Sequence, residues 1–121
     1  MTGVQTCALP IYDLGVVAEF CDDVSVMYAG KIVEQADVLS LFEHPGHPYT
    51  RGLLSSIPKI GRKARYLSTI SGMVPAPDHR PDGCYFVDRC QRKIEICSKK
   101  SPVPEQTPDQ AHTLSCWNPY E

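Results

Sequence analysis

Val24-Ser25-Val26-Met27-Tyr28-Ala29-Gly30-Lys31-Ile32-Val33-Glu34-Gln35 alternates apolar and polar residues on both sides of an Ala-Gly break. Such alternation, rich in β-branched residues, marks a half-buried strand, and a two-residue break containing glycine folds one strand back on the next. The stretch predicts a β-hairpin with strands at 24–28 and 31–35. Downstream, Asp37 is placed to cap a helix over Val38 to Glu43, which Pro45 stops. Pro48 suits the first turn of a second helix running to Ile57, with Tyr49, Leu53, Leu54 and Ile57 on its buried face and Pro58 beyond it. Upstream, Asp13 can cap a helix over Leu14 to Phe20, which faces inward through Leu14, Val17 and Ala18 and ends at Asp22-Asp23. Helix, hairpin and two short helices make an α/β unit.

The rest of the 121 residues reads differently. Residues 1–12 show no periodicity, and residues 58–83 form a Pro/Gly-rich linker. A formal charge of -2 gives no support for a chain whose affinity comes from nucleic-acid phosphates, so no nucleic acid is expected as partner. The basic run Lys59, Arg62, Lys63 and Arg65 reads as a solvated surface. No stretch reaches the roughly 18 apolar residues of a membrane span, and the segment before Val17 lacks the basic start of a signal peptide. A cytosolic chain with reduced thiols is the expectation.

Four of the six cysteines lie in residues 84–121, at Cys84, Cys90, Cys97 and Cys116. This tail of Pro, Gly and charged residues is expected to bury little apolar surface, so it reads as an irregular extension stapled by a metal rather than by a core. Five residues separate Cys84 from Cys90, six separate Cys90 from Cys97, and eighteen separate Cys97 from Cys116, so the short knuckle of a structural zinc site is missing. If the segment 90–97 is helical, its two thiols stand about 10.5 Å apart along the axis. That is beyond a disulfide and awkward for one zinc ion, whereas a 4Fe-4S cluster spreads its thiolates over separate irons. A cluster is favoured, with zinc and free thiols as the alternatives. Cys21 on an apolar helix reads as a small buried residue, and Cys7 is not proposed as a ligand.

Other chemistries find little support. A P-loop needs glycine-rich amides followed by Lys and Ser/Thr, and Gly30-Lys31-Ile32 has neither the upstream glycine nor the hydroxyl. In His44-Pro-Gly-His47-Pro the prolines forbid a helix that would bring both imidazoles to one metal, so His47 reads as the cap of the helix that follows. No Ser or Cys stands beside a His and an orienting acid, and no catalytic residue is assigned.

Asp13-Leu-Gly-Val-Val-Ala-Glu, Val26-Met-Tyr-Ala-Gly-Lys-Ile-Val-Glu34, Phe42-Glu-His-Pro and His47-Pro-Tyr-Thr-Arg-Gly-Leu-Leu54 closely resemble the C-terminal part of ATP-binding subunits of bacterial dipeptide and oligopeptide ABC importers. Gly72-Met-Val-Pro75, Gly83-Cys-Tyr-Phe86, Arg89-Cys90 and the span from Cys97 to Cys116 resemble the extension found in that family. The resemblance covers residues 13–121. It implies that 13–57 is the C-terminal end of a P-loop ABC nucleotide-binding domain and 84–121 the transporter C-terminal extension, with a 4Fe-4S cluster on Cys84, Cys90, Cys97 and Cys116. It implies a peripheral subunit at the cytoplasmic face of the membrane, which uses ATP and Mg in the full-length family and pairs with a second ATP-binding subunit and two permeases.

The departures are as specific. Tyr12 stands where the family has its switch histidine, and the Walker A, signature and Walker B motifs are absent from the sequence. The expectation is a truncated subunit with an unmatched leader at 1–12, an artefact of sequence assembly, and no ATP binding by the chain alone. The contrasting expectation is a free-standing zinc- or cluster-binding interaction module.

Overall fold

Two antiparallel strands, β1 (Asp23–Tyr28) and β2 (Lys31–Asp37), form the expected hairpin. The computed structural model describes residues 19–56 and 70–120. The helix expected over 14–20 enters this range only at Glu19 and Phe20, which are helical; the leader, Cys7 and the basic run at 59–65 lie outside it. Ala29 and Gly30 both take positive φ, 50° and 84°, the geometry of the tight turn that matches the twist of its strands.

Pairing runs from Asp23 opposite Asp37 to Tyr28 opposite Lys31, with a break in register between Val26 and Met27. Val26 faces Glu34 and Met27 faces Ile32, so Val33 is the extra residue of a bulge. The bulge lets Val33 and Glu34, neighbours in sequence, both be buried.

Helix α1 (Val38–Glu43) begins where the sequence places it: the Asp37 carboxylate accepts the Ser40 N–H at 3.1 Å. Helix α2 (Pro48–Ser55) has Pro at its first position, and His47 Nδ1 accepts the Tyr49 N–H at 3.0 Å. Its most deeply buried residue is Thr50, while Tyr49, Leu53 and Leu54 are only half-buried. Cys21 is likewise half-buried rather than a core residue.

The C-terminal third departs most from expectation. After two short 3-10 turns, Val87–Arg89 and Glu95–Ser98, the chain adds strands β3 (Glu105–Gln106) and β4 (His112–Leu114). All pairs are antiparallel and the sheet order is β1-β2-β4-β3, so the extension pairs directly with the hairpin. It also supplies core: Phe86, Val87, Cys97 and Leu114 are buried, and Phe86 joins Val26, Tyr28, Val33, Ala36 and Leu41 in one cluster. Phe86 meets Tyr28 edge-on at 5.1 Å, Tyr49 at 5.3 Å and His47 at 5.8 Å between ring centres. An irregular tail held only by a metal is therefore corrected: one buried aromatic contributes about 1.5–3 kcal/mol, and the tail shares the core of the hairpin.

Candidate metal centre

Glu34 ties the HPGHP loop and the extension to the sheet. Fully buried on β2, its carboxylate accepts the Gly46 and His47 backbone N–H groups, each at 2.9 Å, and lies 2.7 Å from His112 Nδ1 on β4. A buried carboxylate is tolerated only when its oxygens are satisfied, and these three partners do so. Burial pushes the His47 imidazole down to about 4, so it stays neutral and serves as cap and core residue, as its sequence context predicts. Its Nε2 and the Thr50 hydroxyl are buried without a partner among the described residues.

On this frame the four C-terminal cysteines stand as free thiols, Cys97 buried and the others half-buried. The segment 90–97 is not one helix: Cys90 ends the turn Val87–Arg89 and Cys97 lies within Glu95–Ser98. The axial spacing expected of a helix thus falls away, because Pro/Gly-rich flanks and the docking of Phe86 favour tight turns here.

Three cross-links gather the thiol-bearing segments. The Cys84 N–H donates to the Cys97 carbonyl at 2.7 Å, an approach that Gly83 permits because a Cβ there would collide with that carbonyl. The Trp117 indole N–H donates to the Lys100 carbonyl at 2.8 Å, fixing the Cys116 segment beside the turn that holds Cys97. Arg92 and Asn118 exchange hydrogen bonds between the segments of Cys90 and Cys116. Locally, the Val87 N–H donates to the Cys84 carbonyl and the Cys90 N–H to the Val87 carbonyl.

The four thiol-bearing turns are thereby linked to one another. Cys84 feels the charge of Cys97 and Cys90, Cys90 that of Cys97, and Cys116 that of the other three. Each sulfur also receives a backbone N–H. Arg92 serves Cys90, Ile94 serves Cys97 and Asn118 serves Cys116, each at 3.4 Å, and Phe86 serves Cys84. Burial, before any effect of neighbouring thiols, raises the pKa of Cys84 and Cys90 and pushes Cys116 up to about 11. A group bound by these thiols must therefore displace protons. Among the described residues, no three His, Cys, Asp or Glu side chains are gathered closely enough to hold one metal ion. Sequence reading thus named the four thiols; it missed Glu34, His112, Arg92 and Asn118, which pair across 26 to 78 positions.

The sulfurs are not sealed off. Cys90 lines a groove of about 680 Å³ with Arg51, Arg89 and Tyr120, and Cys84 lines another of about 640 Å³ with Lys31, Tyr85 and Val103.

Known proteins share this arrangement of sequence. Residues 33–97 match the family described as Oligopeptide/dipeptide transporter, C-terminal region. A probable peptide ABC transporter ATP-binding protein of Sinorhizobium fredii is 47% identical over 112 residues, covering 91% of this chain and 33% of that protein. The oligopeptide transport ATP-binding protein AppD of Bacillus subtilis is 50% identical over 91 residues, covering 75% of this chain and 28% of that protein. The chain thus spans about a third of the length of these relatives. With more than half of its residues inside the family match, the chain belongs to the oligopeptide/dipeptide transporter C-terminal region family.

Proposed function

We propose that this chain forms the C-terminal region of the ATP-binding subunit of a peptide importer and binds a 4Fe-4S cluster through Cys84, Cys90, Cys97 and Cys116. The relatives are ATP-binding proteins of peptide transporters by their printed descriptions, which supports the first part. In that role the subunit sits at the cytoplasmic face of the membrane and works with a second ATP-binding subunit and permeases. None of the described helices is long and apolar enough to cross a membrane. The sequence carries no phosphate-cradling loop, so nucleotide chemistry is assigned to the remainder of such a subunit.

The observation that carries the cluster reading is the set of backbone and side-chain links that join the four thiol-bearing turns, each turn giving its sulfur a backbone N–H donor. The donor set is all sulfur, which suits iron-sulfur ligation. A single zinc ion at about 2.3 Å from each sulfur would need four thiolates about 3.8 Å apart, and the short Cys-x2-4-Cys knuckle that usually supplies such a cage is missing from the sequence. When bound, a cluster supplies a covalent cross-link and a one-electron redox centre. The chain's own groups prepare for its negative charge: the N–H donors point at sulfur, Lys31 stands near Cys84, and Arg92 and Lys93 near Cys90.

Anaerobic purification of the full chain tests this. A brown chain with four irons per molecule, whose visible absorbance is lost when Cys84, Cys90, Cys97 or Cys116 becomes Ser, is expected. A colourless chain carrying one zinc would decide against the cluster.

A further inference from the structure

Arg92 and Asn118 each sit two residues after a thiol, Cys90 and Cys116, and each turns its backbone N–H onto that thiol's sulfur at 3.4 Å. Their side chains cross. Asn118 Nδ2 donates to the Arg92 carbonyl at 3.0 Å; Arg92 Nε donates to the Asn118 carbonyl at 3.2 Å; and Arg92 Nη2 reaches Asn118 Oδ1 and the Pro119 carbonyl, both at 3.4 Å. Two turns 26 residues apart in sequence are thereby locked together with no covalent link.

The lock is itself anchored. The Arg92 guanidinium lies 4.1 Å from the centre of the Tyr120 ring, as does that of Arg51 from α2, and the Tyr120 N–H donates to the Gly46 carbonyl at 2.8 Å. Two guanidinium groups held over one ring favour a fixed orientation of the fork. Only a planar, multi-donor cation can serve the Asn118 carbonyl, its side chain and Pro119 together, so a lysine cannot replace Arg92 here.

We infer that Arg92 and Asn118 are the positioning pair of the thiol site, fixing the separation of Cys90 and Cys116 and thereby setting how firmly the site retains its metal group. The inference rests on the cluster reading given above. Neither residue is a ligand; both act through the two turns that present the sulfurs. Outer partners that orient metal ligands typically contribute 10–100-fold to retention, and this pair orients half of the ligand set.

The test uses the full chain, reconstituted anaerobically with ferrous iron and sulfide, in wild-type form and as Arg92→Ala, Arg92→Lys, Asn118→Ala, the double variant Arg92→Ala/Asn118→Ala, and Glu43→Ala. Iron per chain, the rate at which a chelator bleaches the visible absorbance, and the electron paramagnetic resonance spectrum of the reduced form are measured, with the thermal midpoint of the metal-free chain as a fold check. Arg92→Ala, Arg92→Lys and Asn118→Ala are expected to lose iron about ten-fold faster than wild type. The double variant should be no faster than the worse single, because both remove the same lock. Glu43→Ala, at the exposed end of α1, should stay within about two-fold. The spectrum of Arg92→Ala should shift, which a general loss of fold stability would not produce.

If wild type holds iron and the pair variants release it at the wild-type rate, or if Glu43→Ala accelerates release equally, the positioning role is overturned while the cluster reading stands. A wild-type chain that takes up no iron overturns the cluster reading, and the role of the pair with it.

Discussion

A single carboxylate and a single imidazole decide how the hairpin meets the extension. Removing Glu34 would leave the Gly46 and His47 amides and His112 Nδ1 buried without their acceptor. Glu34→Ala is therefore expected to lower unfolding stability by about 3–5 kcal/mol, read as a shift of the urea midpoint. His47 gives a pH dependence of definite sign. Above pH 6.5 its ring is neutral folded and unfolded alike; below it the unfolded chain takes a proton that the buried ring refuses until about 4. More protons on the unfolded state means that stability falls as pH falls through this window, by up to about 3 kcal/mol. Urea midpoints measured between those two pH values should fall in wild type and flatten in His47→Asn, which keeps a capping side chain without a titrating ring. A wild-type profile as flat as that of the variant would refute the assignment.

At the scale of elements, what could be read from sequence was what is local. The hairpin turn, the Asp37 and His47 caps and the stops at Pro45 follow from neighbours within four residues, and they stand where the sequence put them. The bulge at Val33 was illegible, since strict alternation puts Val33 and Glu34 on opposite faces and hides the buried carboxylate. Strands β3 and β4 were missed for another reason. Two and three residues long, they carry no periodicity of their own: β4 exists because Glu34–Ala36 of β2 offer it an edge, and β3 because β4 offers the next. The four thiols could be proposed as a set because cysteine spacing is visible in sequence, whereas the turns that carry them depend on backbone contacts such as that of Cys84 with Cys97. Gly83→Ala tests that contact: the added methyl must push the two segments apart, and loss of iron uptake with the secondary structure retained by circular dichroism is the expected result.

Taken whole, the molecule is not a nucleotide-domain end with a detachable appendage. The extension enters the sheet through β4, the core through Phe86, and the loop before α2 through the bond from Tyr120 to Gly46. The hairpin and the extension therefore share one sheet and one core. The only tryptophan of the chain, Trp117, adjoins Cys116 and is fastened to the Lys100 carbonyl at 2.8 Å. The protein thus carries a built-in fluorophore at the thiol site. Its emission reports whether the neighbouring sulfurs hold a light-absorbing group, with no label attached and no second indole to blur the signal.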